Sequence, residues 1–322
     1  MPPPPPANIR SPTTWAVLAA LGLALLWGGN AVAIKVGVGG LPPLSLHTVR
    51  TGLGLLFLLC WSAVARVSLR LERGELLPLA GLSLLFSVQV LALIYGTSLT
   101  LSVRSIVLMN TFPFFTAVFA HLLLAGDRLT WRTSVGSLLG LAGVVLAAVA
   151  AAPASDGATA FSDAILLGDA IVLGAAAGLG LRQVIAKRLM STVPPERLLA
   201  WMMALSIPLT GAFAWALERD LWLPLTGKQW VATLYTGVVI SGFGFAAFQG
   251  LLRRYRASTM TVPFLATPLC GVVLGWAVLG ERLPVALAGG AVLVAAGIYV
   301  VNSRRRMEKT SKRRRPTPRP RT

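Results

Sequence analysis

The chain is 322 residues long, 55% hydrophobic and only 12% charged, about half the charged fraction of a soluble globular domain. That much charge cannot wet the surface of two soluble domains, and a mean hydropathy of +0.74 points to a bilayer instead. The 29 Lys+Arg outnumber the 11 Asp+Glu to give a net charge of +18, and the last 21 residues supply half of it with ten basic residues and one acid, Glu308.

Residues 1–13 open with five prolines and show neither a basic stretch ahead of an apolar run nor a small-residue cleavage site. They are expected to form a disordered leader to an uncleaved first helix. A hydrocarbon core of about 30 Å needs roughly 20 apolar residues per helix. Ten stretches qualify, at 14–38, 44–65, 76–98, 102–125, 131–152, 163–188, 197–217, 229–252, 257–279 and 283–301. The sixth is diluted by Arg182, Gln183, Lys187 and Arg188. Residues 302–322 are expected to be a disordered basic tail on the anionic cytoplasmic leaflet. No aromatic residue interleaves with the tail's basic ones, so nucleic acid is not an expected partner.

Ten spans put both termini on one side. That side holds 22 Lys+Arg and the opposite side four, Arg104, Arg219, Lys228 and Arg282. Positive residues stay inside, so both termini are expected to face the cytoplasm from the plasma (bacterial inner) membrane. The two halves also repeat each other. Gly126-Asp127-Arg128-Leu129 closes the fourth span as Gly280-Glu281-Arg282-Leu283 closes the ninth, with Pro113 lying 13 residues upstream of the first and Pro268 12 residues upstream of the second. Gly140–Leu146 resembles Gly289–Leu293 downstream. The fold class is therefore an all-α membrane protein of ten transmembrane helices built as two five-helix repeats, 14–152 and 158–301. Because five is odd, the second repeat must be inverted, an architecture recurrent in secondary transporters.

The sequence resembles the drug/metabolite transporter superfamily, in particular its EamA-type ten-helix members. Leu26-Trp27-Gly28-Gly29-Asn30 with Ala33-Ile34-Lys35, the motifs at 126–129 and 280–283, and the prolines of the fourth and ninth spans carry the resemblance. It covers residues 15–301 and implies a carrier that exports amino acids or related metabolites by alternating access. Drugs, sugars or nucleotide derivatives are the alternative cargo, and a channel is the weaker one. The family's third, fourth, eighth and ninth helices line the cavity, which favours Gln89, Tyr95, Asn110, Phe115, Phe245, Gln249 and Phe264 as substrate contacts.

Ionisable groups inside spans are rare and usually face a partner or a wet cavity. Lys35, Arg50 and Arg182 are candidate pathway cations, and Asp169 and His121 candidate coupling groups. Asn30, Thr111, Gln183 and Thr267 add buried amides and hydroxyls that each need a partner. Pro113, Pro263 and Pro268 are expected to break their helices midway and act as hinges, and glycines at 136/140, 174/178 and 271/275 to mark close helix contacts. Cys60 and Cys270 lie in apolar runs and form no disulfide framework, and two histidines do not furnish a zinc site. No catalytic constellation and no Walker A sequence is present, so the reading is a carrier and not an enzyme, with no cofactor. A cysteine added to the tail of a cysteine-free variant is expected to react with an impermeant maleimide only after permeabilisation. Labelling in intact cells would reverse the orientation.

Overall fold

The computed structural model describes residues 12–100, 105, 108–127, 129–151, 163–221, 224–279 and 286–302. Most of the leader and tail, the seam at 153–157, Arg104, Arg128 and the motif at 280–283 lie outside the described residues. Ten principal helices are seen: α1 (Thr14–Gly37), α2 (Pro43–Val64), α3 (Leu76–Leu99), α4 (Phe112–Leu123), α5 (Trp131–Ala151), α6 (Asp163–Leu189), α7 (Pro195–Glu218), α8 (Gly227–Arg254), α9 (Thr267–Leu279) and α10 (Ala286–Asn302). Among the described residues, α1, α2, α3, α6, α7 and α8 are long and apolar enough to cross a membrane, and α4, α5 and α10 contain shorter apolar stretches. The diluted sixth span is a regular helix of 27 residues. Arg182 and Gln183 face inward and are buried, whereas Arg188 is exposed.

Local chemistry sets the helix starts. Thr13 caps α1, its hydroxyl accepting from the Ala16 amide at 3.1 Å. A reciprocal Thr226–Gln229 capping box opens α8. Proline opens α2 and α7, where its missing N–H has no partner to lose. The fourth and ninth spans are broken at their prolines, as expected, and there too proline stands near a helix start. Pro113 and Pro268 each sit at the second residue of a helix, α4 and α9, while Pro263 lies in a 3-10 turn, Val262–Ala266. The chain breaks just before them, at Asn110-Thr111 and between a short helix, Ala257–Met260, and that turn. Pro208 lies inside α7. The middle of α8, Tyr235–Gly244, is wound as a π-helix.

The principal packing joins one half to the other. Helix α1 packs on α8 and α9, α2 on α7 and α8, α3 on α6 and α7, α4 on α6, and α5 on α10. Exchanging each helix of the first half with its counterpart in the second returns the same set of pairs. The repeats are thus inverted copies interlocked about a pseudo-twofold axis. Glycines make the contacts close. A Cβ on Gly28 of α1 would stand 2.7 Å from the Gly271 amide nitrogen of α9, and one on Gly180 of α6 2.8 Å from the Thr116 nitrogen of α4. These are equivalent contacts, because one offset relates Gly28 to Gly180, Lys35 to Lys187 and Pro42-Pro43 to Pro194-Pro195. Gly136 and Gly297 bring α5 against α10, whereas Gly174 faces open space and Gly178 lies against Gln89.

Polar clamps tie both ends across the halves. At the end where α1 starts, Ser258 donates its amide and hydroxyl to the fully buried Asp127. Within the second half, Lys187 donates there to the carbonyls of Leu252 and Tyr255. Arg197 bridges Glu72 and Glu75 at 2.9 Å each, and the Trp201 indole donates to the Leu69 carbonyl at 2.8 Å. At the other end, Glu218 of α7 accepts from the amides of Leu44 and Ser45 and from the Ser45 hydroxyl at 2.7–2.9 Å. This carboxylate caps α2, which has no side-chain cap of its own.

Glu218→Ala is expected to lower the unfolding temperature in detergent by about 4 °C, equivalent to about 2 kcal/mol for an uncapped helix start. Gly28→Ala and Gly180→Ala are each expected to destabilise, because the new Cβ meets backbone. Gly22→Ala, with nothing within 4 Å, leaves the unfolding temperature unchanged or raises it.

Candidate functional site

A polar core lies between α2 and α3 of the first half and α6 and α7 of the second. Helix α3 turns Ser83, Phe86, Ser87 and Gln89 into it, and α2 supplies His47, Arg50 and Thr51. The small hydroxyls are satisfied locally or across the interface. Ser83 donates to the Met202 carbonyl of α7 at 2.9 Å, Ser87 to the Ser83 carbonyl at 3.0 Å, and Thr51 to the His47 carbonyl at 2.8 Å.

The charged groups are not satisfied in this way. Arg182 is only 5% exposed. Its guanidinium carbon stands 4.9 Å from the centre of the Phe86 ring, and its Nη1 lies 3.9 Å from the Met202 sulfur. The His47 ring approaches the same Phe86 ring at 5.6 Å. Arg50 lies three residues beyond His47, close to one turn along α2, on the same side of that helix. The Nε atoms of Arg50 and Arg182 and the Oε1 of Gln183 are enclosed with no hydrogen-bond partner. Gln89, also buried, rests its side chain against Gly178, one turn from Arg182.

Two further groupings gather other expected contacts. A cleft of about 240 Å³ opens between α4, α5, α6 and the 3-10 turn, lined by Asn110, Pro113, Phe115, Leu141, Leu173 and Leu265 among others. Its walls are almost wholly apolar. Beside α1, Trp27 stacks on Phe245 with centroids 5.5 Å apart and meets Phe264 edge-on at 5.4 Å. Phe248 completes the cluster, 4.6 Å from Phe264. Aromatic contacts of this geometry contribute about 0.5–1.5 kcal/mol each beyond area burial. Gln249, the next residue after Phe248, is 2% exposed with its Oε1 unpartnered.

The remaining candidates lie apart from these groups. Tyr95 is 58% exposed on the same stripe of α3 as Leu77, Leu84 and Val88, turned away from the bundle. His121 is exposed beside Leu122 and Leu123 at the end of α4. Asp169 accepts a 2.6 Å hydrogen bond from Thr100 and fastens α6 to the end of α3. Lys35 falls within α1, and its side chain lies outside the described residues. His47, Phe86 and Met202 did not stand out in the sequence. The available signal was His47 three residues before Arg50, a spacing that puts both on one helix face.

The chain is similar to known proteins over most of its length. The EamA-like transporter family matches residues 14–149 and again 166–303. A protein of Bacillus subtilis (strain 168) named Uncharacterized transporter YoaV is 24% identical over 88% of this chain and 95% of its own. An Uncharacterized transporter of Archaeoglobus fulgidus is 26% identical over 87% and 94%. YvbV of B. subtilis, likewise named an Uncharacterized transporter, is 27% identical over 93% and 95%. A solved chain, described only as a crystal structure of protein, matches with a TM-score of 0.78 over 91% of this chain and 98% of its own, at 22% identity, which bears on the fold alone. Ten helices in two inverted halves, each half matched by the same family, make this chain a multi-pass integral membrane protein that belongs to the EamA-like transporter family.

Proposed function

We propose that the chain is a secondary transporter that exports small metabolites, amino acids or their derivatives foremost, across the plasma membrane by alternating access. The observation that carries this reading is the exchange symmetry of the helix packing. The pairs α1–α9 and α4–α6, α2–α8 and α3–α7, and α3–α6 and α1–α8 are equivalent under exchange of the halves. If the halves trade conformations, the same types of contact re-form with the opposite end open. The two states then differ little in energy, as a carrier requires. The polar core is drawn from both halves, so such an exchange changes which side reaches it. In this reading both termini are cytoplasmic, as the 22-to-4 distribution of Lys and Arg supports, and the basic tail rests on anionic lipid.

Counterflow in proteoliposomes, with a panel of labelled amino acids and with or without a pH gradient, tests the proposal. Transient accumulation of at least one amino acid is the expected result, and dependence on the gradient would bring in Asp169 and His121. Accumulation only of a drug, sugar or nucleotide derivative would keep the carrier and replace the cargo, while silence across every class would overturn the proposal. Alanine at Gln89, Asn110 and Gln249 together is expected to slow exchange by about tenfold or more, as loss of about 1.4 kcal/mol of recognition would.

A further inference from the structure

Two guanidiniums inside a membrane bundle call for an explanation that the fold does not supply. Of the 11 acids in the chain, Asp156, Glu281 and Glu308 lie outside the described residues. The others are engaged elsewhere or sit at helix ends. Glu72 and Glu75 hold Arg197, Asp127 holds Ser258, Asp169 holds Thr100, and Glu218 caps α2. Asp220 faces Arg219, Asp163 is exposed at the start of α6, and Glu196 lies in the first turn of α7. Among the described residues, no carboxylate stands against Arg50 or Arg182.

What does touch Arg182 is weak. A cation–π contact with Phe86 is worth about 0.5–2 kcal/mol, and a thioether sulfur is a poor acceptor. Removing a charge from water costs several kcal/mol even after relaxation. Such groups persist in membrane interiors where they serve substrate or ion pathways. Phe86, which Arg182 and His47 share, lies near the middle of α3, and the helices around it come from both halves, the usual depth and interface of a carrier's binding site.

On the reading of the chain as a carrier, we infer that Arg50 and Arg182 seat an oxyanion group of the transported solute, which is therefore a small organic anion or a zwitterion. The planar guanidinium fork matches a carboxylate or a phosphate with two parallel hydrogen bonds. The buried amide of Gln89, resting against Gly178 one turn from Arg182, is placed to take the solute's remaining polar groups. An amine without an acid group meets only positive charge here and is rejected.

Thermal unfolding of the purified full chain in detergent tests this with four probes: 3-phenylpropionate, its amine counterpart 3-phenylpropylamine, L-phenylalanine and inorganic phosphate. The acid and the amino acid are expected to raise the unfolding temperature and the amine to leave it unchanged. A rise with phosphate alone would keep the oxyanion seat and assign it to phosphorylated solutes. Arg50→Met and Arg182→Met each remove a charge that no described carboxylate faces, while keeping side-chain bulk. Each is expected to raise the ligand-free unfolding temperature by about 2–4 °C and to abolish the response to anions. Arg182→Lys, which keeps charge without the fork, is expected to retain the wild-type ligand-free value and weaken the response. Any of three results would overturn the inference: both methionine variants less stable than the wild type, an anion response that survives in them, or a wild-type chain that responds to no anion or equally to the amine. A carrier of cations would still exchange solute in counterflow while failing here, so the two readings fail separately.

Discussion

Inside a bilayer the lipid chains are as apolar as leucine, so helices gain nothing from water when they meet. Their association depends on close van der Waals fit and on polar groups that satisfy one another. This constraint organises the molecule. Gly28 lets α1 reach the backbone of α9, Gly180 lets α6 reach that of α4, and Gly136 with Gly297 closes α5 on α10. Each contact joins helices from different halves. A single half holds few contacts of its own, so the repeats stabilise each other and the pseudo-twofold axis is part of the energetics as well as the history of the chain.

The same constraint sets the scale for polar groups. An unpaired donor in hydrocarbon costs several kcal/mol, and at both ends the chain meets that demand with remote partners. Glu218 caps a helix 173 residues away in sequence, and Asp127 binds Ser258 across the halves. Lys187 serves the last carbonyls of α8. Other enclosed side-chain atoms have no hydrogen-bond partner among the described residues, the Nε atoms of Arg50 and Arg182 and the Oε1 atoms of Gln183 and Gln249 among them. Arg182 meets Phe86 of the other half, so the incomplete pairing there lies in a region that an exchange of the halves would rearrange.

Prolines and aromatics then shape how the halves join. Pro113 and Pro268 start equivalent helices after a break in the chain, leaving irregular backbone at Asn110-Thr111 and Thr261–Ala266 in the interior. Nonhelical backbone at membrane depth is tolerated where protein buries it. The cleft beside Asn110 borders the first break, and the Trp27–Phe264 contact packs against the second. Trp27 belongs to the Leu-Trp-Gly-Gly-Asn motif, and its ring ties α1 of one half to α8 and the 3-10 turn of the other.

Much of this was legible in the chain. Span number, the repeat, its inversion and the basic asymmetry follow from composition and period, because a bilayer imposes one length and one sidedness on every helix. The Gly-Asp-Arg-Leu motif and the Pro113–Pro268 correspondence marked equivalent positions before any coordinates. Within a span, however, hydropathy in lipid carries little directional signal, since lipid-facing and helix-facing residues are both apolar. Nothing in the sequence distinguished Tyr95, on the outward stripe of α3, from Gln89, which is buried in the core. Phe86 looked like any other aromatic residue until Arg182 and His47 were seen against it. The sequence by itself determined that this chain crosses the membrane as two inverted halves, because length, charge and repetition are properties of the string. Only the tertiary structure decided which polar groups meet, because partners such as Glu218 and Ser45, or Arg182 and Phe86, are brought together by helix packing across the halves and not by spacing along the chain.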